Sequence, residues 1–331
     1  MNETMSENGQ QDEKRIFLVT GAMGCIGAWT LYHLVKRGEA AVSFDLSANR
    51  SRLDLLLSAE EQEAITFLQG DLTQYAVVAE AVRAHGVTHI IHLAALQVPF
   101  CRANPVMGAQ VNVVGTVNIF EAARQNNLRH LAHASSIAVY GAPETYPPGL
   151  IAHDAPHRPQ TLYGVYKQAD EGIAQVYWLE NGVSSTALRP YTVYGLGRDQ
   201  GMTSEPTKAM LAAAAGQSFT ISFGGAMQFQ HASDVAQQFI DAALLPLNGA
   251  YSFNLGGAVT DVAAMADLIR EVRPKAMISI AERRLSFPEG FDDTALRSQF
   301  ATIYETPLAQ GVRQTIEQFE SALSKGLLTH V

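Results

Sequence analysis

The apolar run Ile16-Phe17-Leu18-Val19 passes through Thr20 into Gly21-Ala22-Met23-Gly24-Cys25-Ile26-Gly27, and a helical stretch continues to Val35. Few features constrain a fold more tightly. A strand that turns sharply into a helix through glycines makes a cradle for phosphate, because the free N–H groups of the helix N-terminus point at the anion. Gly21 permits the turn, Gly24 lets backbone approach a pyrophosphate, and Gly27 lets the helix lie close to the strand. The spacing is G-x-x-G-x-x-G, a variant of the dinucleotide fingerprint. A glycine-rich turn of purely structural purpose is the competing reading.

The next strand, Ala41-Val42-Ser43-Phe44, ends in Asp45. An acidic side chain at that distance accepts hydrogen bonds from the adenosine ribose and repels a 2′-phosphate, which favours NAD over NADP. Arg50, a few residues on, can soften that preference, and Asp45 can also be read as a cap of the following segment.

Strand-like and helix-like segments then alternate. Ile65–Gln69, Thr88–Leu93, Arg129–Ser135 and Ser184–Arg189 read as strands; Tyr75–Ala84, Met107–Gln125 and Tyr163–Asn181 read as helices. That alternation predicts an α/β fold of Rossmann type: a doubly wound, mostly parallel sheet with helices on both faces. After Arg189 the pattern changes. Helices are expected at Thr207–Ala215, Ser233–Leu245, Thr260–Val272 and Leu308–Leu323, and strands at Phe219–Phe223 and Tyr251–Leu255. The expected organisation is a disordered tail over 1–14 and a dinucleotide-binding domain over 15–189, to which 232–255 returns. A smaller C-terminal substrate-binding domain would use 190–231 and 256–331, lying over the edge of the sheet where ligands bind.

The formal charge of −9 argues against nucleic-acid or anionic-membrane partners, leaving a small molecule as the expected partner. No apolar run approaches a membrane span, and Met1 to Lys14 lacks the apolar segment of a signal peptide. Two cysteines, Cys25 and Cys101, are too few for a disulfide framework, which fits a cytoplasmic location. Cys25 reads as a small residue beside the cofactor rather than a nucleophile. The histidines have no paired ligand spacing, so no metal is expected, and His92 and His231 read as structural.

Tyr163 and Lys167 stand four residues apart on one predicted helix and so share a face. An ammonium near a phenol favours the phenolate. Such a tyrosine takes a proton from an alcohol as hydride leaves its carbon, or returns it in reduction. The fifth strand ends in Ser135-Ser136, and a hydroxyl at Ser136 would hold the substrate oxygen beside the tyrosine. Against these readings stand a surface helical pair and a turn serine.

With these elements in order, the chain resembles the extended short-chain dehydrogenase/reductase family, the group of sugar-nucleotide epimerases, dehydratases and related dehydrogenases. The resemblance rests on Thr20 to Gly27, Asp45, Gly70-Asp71-Leu72, His92 to Ala95, Asn112 to Thr116, Ser135 to Gly141, Tyr163 to Lys167, and Leu188 to Gly195. It implies Ser136 and Tyr163 as catalytic, with Lys167 tuning the tyrosine and holding the nicotinamide ribose. It implies Asp71 and Leu72 at the adenine, Leu93, Ala94 and Ala95 along the cofactor, and Pro190 and Val193 against the nicotinamide. Gly21, Gly24, Cys25, Ile26 and Gly27 would hold the pyrophosphate, and Asn112 would support the helix and the site. A homodimer through a four-helix bundle that includes the Asn112 and Tyr163 helices is also implied.

The chain departs from that family at three places. Ile137 and Ala138 replace the Asp-Glu pair of the 4,6-dehydratases and cannot exchange protons. Thr192 stands where many nucleotide-sugar enzymes have asparagine. Met227 stands where they have an arginine that grips the substrate diphosphate, and a thioether cannot replace a bidentate cation. Arg198, Arg283, Arg284 or Arg297 can compensate. These departures point to a small hydroxylated substrate: a sugar, sugar acid or hydroxy acid. Gln97, Ile137, Thr192 and Arg198, with the Asp199–Ser204 loop, are the candidate substrate contacts. Three functions follow: an NAD-dependent dehydrogenase, an NAD-retaining epimerase using the same parts, or a non-catalytic NAD sensor.

Overall fold

In the computed structural model, residues 14–328 are described. The expected tail over 1–14 lies outside them except for Lys14. Seven parallel strands form the main sheet: β1 (Ile16–Thr20), β2 (Ala40–Asp45), β3 (Ile65–Gln69), β4 (His89–His92), β5 (His130–Ala134), β6 (Ser184–Arg189) and β10 (Ala250–Asn254). Their order is β10-β6-β5-β4-β1-β2-β3. The chain leaves β1 towards β2 on one side, yet β4 pairs with β1 on the other. That reversal opens a crevice at the carboxyl ends of β1 and β4, where open α/β sheets bind ligands.

The central strands β1 and β4 are short and carry apolar side chains to both faces of the sheet, whereas β5 and β6 also bury His130, His133, Ser184, Ser185 and Thr186. Phe17, Leu18 and Val19 of β1 are fully buried, as are Ile90 and Ile91 of β4. Apolar clusters lie on the two faces of the sheet. One gathers Leu18, Ile90, Phe120 and Leu131, the other Phe17, Val19, Ile91 and Leu188.

The expected helix over 107–125 is interrupted. Pro105–Ala109 and Gly115–Gln125 are α-helical, and a π-helical turn, Gln110–Val114, joins them. Such widened turns commonly mark functional positions, and this one holds Asn112. The helix over Leu162–Asn181 runs as expected, capped by Thr161, whose hydroxyl accepts from Gly164 N at 3.0 Å.

Beyond β6 the chain builds two small sheets. One consists of β7 (Thr192–Tyr194), β9 (Ala226–His231) and β11 (Ala258–Asp261); the other of β8 (Ser218–Ile221) and β12 (Met277–Ile280). The sequence reading had none of β7, β9, β11 or β12. It also started a helix at Thr260, which belongs to β11. Asp261 caps the helix that follows, accepting from Ala263 N at 2.8 Å, so the helix begins at Val262.

Candidate active site

The Cys25–Lys36 helix starts at the glycine turn without a side-chain cap, so its first N–H groups remain free for an anion. A Cβ on Gly27 would lie 2.2 Å from the Gly21 carbonyl oxygen; only glycine lets helix and turn meet this closely. A groove of about 510 Å³ runs from this turn past Asp45, Gly70, Asp71 and Leu72 at one end to Leu93, Ala94 and Ala95 at the other. Asp45 is anchored beside the turn, accepting from Met23 N at 2.9 Å and Ser47 N at 2.8 Å. Asp71 accepts from Thr73 N and Oγ1, and these bonds hold its carboxyl below the usual carboxylate range. A cradle that admits no Cβ, uncapped N–H groups and a carboxylate at the far end together fit a dinucleotide. Burial pushes the Cys25 thiol up to about 11, leaving it a protonated wall residue.

The groove opens into a second cavity of about 180 Å³, sharing Ile26, Leu93, Ala95, Gln97, Ala134 and Arg198 with it. Ser136, Tyr163 and Lys167 line this cavity together with Ile137, Pro190 and Val193. Three residues from two separate stretches of sequence thus meet along one cavity. Gly164 makes the meeting possible. A Cβ there would fall 2.1 Å from the Ala138 carbonyl oxygen, so the Tyr163 helix rests directly on the turn carrying Ser136. The Ser136 hydroxyl itself accepts from Ala138 N at 3.1 Å. Lys167 is buried; its Nζ donates to the Ala134 carbonyl oxygen at 2.8 Å and to Asp170 Oδ2 at 3.0 Å. Asp170 and a neighbouring phenol hold that ammonium above the ordinary lysine range despite its burial.

Two of the expected site residues, Thr192 and Asn112, lie outside both cavities. Thr192 is fully buried beside Met227, its Oγ1 4.0 Å from Met227 Sδ, and lines neither cavity. Asn112 also lines neither. Its amide is consumed by Leu96, accepting from Leu96 N at 2.7 Å and donating to Leu96 O at 2.9 Å. It shapes the strand-end loop from behind rather than touching the crevice.

His92 acts similarly. Thr116 Oγ1 donates to the Asn112 carbonyl oxygen at 2.6 Å, so it receives the proton of His92 Nε2 at 3.1 Å. His92 Nδ1 then accepts from Thr20 Oγ1 at 2.7 Å, and Thr20 Oγ1 accepts from Leu93 N and Ala94 N. A buried hydrogen-bond chain therefore holds the wall along which the cofactor is expected. Behind Ser136, Arg189 forms a bidentate ion pair with Glu171 at 2.8 and 2.6 Å, and the Ser135 hydroxyl donates to the same carboxylate.

Asp199 and Gln200 of the candidate loop line the groove, and Met202 and Thr203 the smaller cavity; sequence reasoning missed Arg52 and Phe100 on the groove and Phe287 on the smaller cavity. Arg52 donates to Met23 O at 2.7 Å and to Asp199 Oδ1 at 2.7 Å, tying the loop after Gly197 to the glycine turn. No local pattern announces such a long-range tie. His231 packs edge-on to Trp29 and Tyr194, with ring centroids 5.9 and 5.3 Å away. The cavity beside it, about 340 Å³, shares no lining residue with the crevice.

The model of the NAD dependent epimerase/dehydratase family matches residues 17–256. This chain belongs to that family. A UDP-glucose 4-epimerase from Mycolicibacterium smegmatis is 29% identical over 323 residues, covering 92% of this chain and 98% of that protein. The structure of a Thermus thermophilus UDP-glucose 4-epimerase in complex with NAD superposes with a TM-score of 0.78 at 26% identity, covering 93% of this chain and 99% of the other. An L-threonine dehydrogenase from Cupriavidus necator shares the fold, with a TM-score of 0.78 at 23% identity over 93% of this chain and 99% of its own. This member of the epimerase/dehydratase family is thus an NAD-dependent enzyme of the extended short-chain dehydrogenase/reductase type. It moves a hydride between NAD and a hydroxyl or carbonyl carbon.

Proposed function

We propose that the enzyme is a dehydrogenase acting on a small polyhydroxylated molecule, a sugar, sugar acid or hydroxy acid. The size of the cavity that holds Ser136 and Tyr163, about 180 Å³, carries this reading. Met227, at the position expected for a diphosphate-gripping arginine, is buried and apolar. Bound NAD supplies the hydride acceptor. Tyr163 takes the proton of the substrate hydroxyl as general base, Ser136 holds that oxygen by a hydrogen bond, and Lys167 presents its remaining N–H to the crevice. Arg198, which lines both cavities, contacts an anionic group of substrate or cofactor. Gln97 and Ile137 border the substrate.

One observation favours an NAD-retaining nucleotide-sugar epimerase instead. An outer cavity of about 350 Å³ adjoins the catalytic one at Tyr191 and Phe287, and Arg284 lines it with Met227. An NAD+ reduction screen over sugars, sugar acids and polyols, run beside calorimetry with UDP-sugars, separates the two. Net NADH formation with a small substrate supports the dehydrogenase, and saturable UDP-sugar binding without net NADH overturns it. Tyr163→Phe is expected to abolish turnover while sparing NAD affinity.

The domain division is proposed as 15–189 with 232–255 for the cofactor, and 190–231 with 256–328 over the crevice for the substrate. The assembly proposed is a homodimer. Leu162, Val165, Val176 and Leu179 form one exposed stripe at helical spacing, and Val106 and Met107 are exposed on the Pro105–Ala109 helix and Val114 on the π-helical turn after it. Light scattering after size exclusion tests it. Among the described residues no helix is long and apolar enough to cross a membrane. A cytoplasmic location is proposed from the two free cysteines.

A further inference from the structure

Lys167 is accounted for by the reaction, but the residue three positions on is not. Asp170 lies on the inward face of the same helix, fully buried, with Oδ2 3.0 Å from Lys167 Nζ. Its other oxygen, Oδ1, is buried without a hydrogen-bond partner. Burial of a carboxylate is costly, and a half-satisfied one calls for an explanation. Asp170 lines neither the groove nor the catalytic cavity, so it does not touch cofactor or substrate.

We propose that Asp170 is a positioning residue, whose carboxylate keeps the Lys167 side chain an ammonium and, with the Ala134 carbonyl, fixes its direction so that a single N–H is left for the crevice. An ammonium has three donors. Two are committed to Ala134 O and Asp170 Oδ2. An ammonium almost wholly withdrawn from water loses its proton readily unless an anion faces it. The other groups packed around the pair do not supply that anion. His92 of β4 and His133 of β5 are both pushed towards the neutral form by burial. The Cys101 thiol, on the Val98–Ala103 helix, is pushed up by burial and stays protonated. Thr116, beside Asp170, gives its proton to Asn112 O. Glu171, next along the helix, is committed to Arg189 and Ser135. Tyr163 is the group the ammonium serves. Asp170 is the carboxylate that faces the ammonium, pushed up to about 6 by burial and so still ionised at neutral pH.

The inference rests on the proposed role of Lys167, but its test does not require the substrate. The full-length NAD-bound enzyme is prepared as wild type, Asp170→Asn and Asp170→Ala with 13C-labelled lysine, the Lys167 signal being assigned by its loss in Lys167→Met. Folding is checked by circular dichroism. Asp170→Asn, which keeps an oxygen for Nζ but not the charge, is expected to lower the pH at which Lys167 titrates by at least about one unit. NAD affinity measured by calorimetry is expected to stay within about threefold in Asp170→Asn and to weaken by about tenfold or more in Asp170→Ala, where the anchor is also lost. A Lys167 titration identical in wild type and Asp170→Asn overturns the proposal. So does failure of both variants to fold, which leaves Asp170 a purely structural part. A shifted Lys167 signal in a wild type that turns over no alcohol keeps the Asp170 assignment and removes the dehydrogenase reading.

Discussion

Met23 N–H donates to Asp45 Oδ2 at 2.9 Å, joining the glycine turn after β1 to the carboxylate that ends β2. The bond aims Asp45 along the groove while the other oxygen is held by Ser47 N. Asp45→Ala therefore loses both the anchor of the turn and the acceptor for the ribose. Hydrogen bonds to a charged group contribute about 1.5–3 kcal/mol, so the Kd for NAD is expected to rise roughly tenfold to a hundredfold by calorimetry. Discrimination against NADP should fall with it, because the repelling charge is gone. An unchanged preference between the two cofactors would show that Asp45 only braces the turn.

Gly164 offers a separate test of the catalytic geometry. Any Cβ at this position would collide with the Ala138 carbonyl oxygen, which is backbone and cannot rotate aside. Gly164→Ala is expected to push the Tyr163 helix away from the Ser136 turn and lower kcat by about a hundredfold, as misplacement of about 1 Å commonly does. NAD affinity should change far less, because the glycine turn is untouched. Equal losses in kcat and NAD affinity would mean that the helix supports the cofactor more than the chemistry.

The parallel sheet and the crevice were legible because their signals are local. Glycines stand where no Cβ fits, apolar runs of strand length alternate with helical periods, and Tyr163 and Lys167 are one helical turn apart. The small sheets were not legible. In β9, Met227 and Phe229 are buried, but so are Gln228 and Gln230, so no alternation of apolar and polar residues survives. Both glutamines serve as backbone surrogates. Gln230 accepts from Tyr191 N at 2.8 Å and donates to Leu255 O at 2.9 Å, and Gln228 accepts from Phe291 N at 3.1 Å. Thr192 was misplaced for a related reason. It stands where many nucleotide-sugar enzymes have asparagine, but a matched position says nothing about which way a β7 side chain faces, although Pro190 and Val193 beside it do reach the cavity. Asn112 was placed near the right elements, but the π-helical turn that directs its amide onto Leu96 is a tertiary outcome.

The Arg189–Glu171 pair carries a stability prediction. Both side chains are buried, and Arg189 also donates to Tyr140 Oη and His153 O, each at 2.6 Å. Removing one partner of such a pair leaves an uncompensated buried charge, which costs about 3–5 kcal/mol. Glu171→Gln is expected to lower the unfolding free energy by about that amount in denaturant titrations. The double variant Arg189→Met/Glu171→Leu should lose less than Glu171→Gln alone, because no charge is stranded. A double variant weaker than Glu171→Gln would instead assign the stability to the bonds Arg189 makes with Tyr140 and His153.

Buried histidines set the response to acid. Burial lowers His133 from 6.5 to about 3, and its Nε2 has no hydrogen-bond partner among the described residues. His92, bonded on both nitrogens, is pushed well below its ordinary value by the same cause. A group whose folded pKa is depressed binds protons first in the unfolded chain. The stability it contributes is therefore complete above 6.5 and is lost as pH falls from 6.5 towards 3. His133 costs about 1.4 kcal/mol per pH unit in that window, hence about 2 kcal/mol at pH 5, and His92 adds a loss of the same sign. Carboxylates such as Asp71, held below the usual carboxylate range by hydrogen bonds from Thr73, add their loss only below about pH 4. His133→Leu removes one of these titrations and the orphaned nitrogen without stranding a charge. It is expected to shrink the difference in unfolding free energy between pH 7.5 and pH 5 by about 2 kcal/mol. A difference as large as that of the wild type would place the acid sensitivity outside His133.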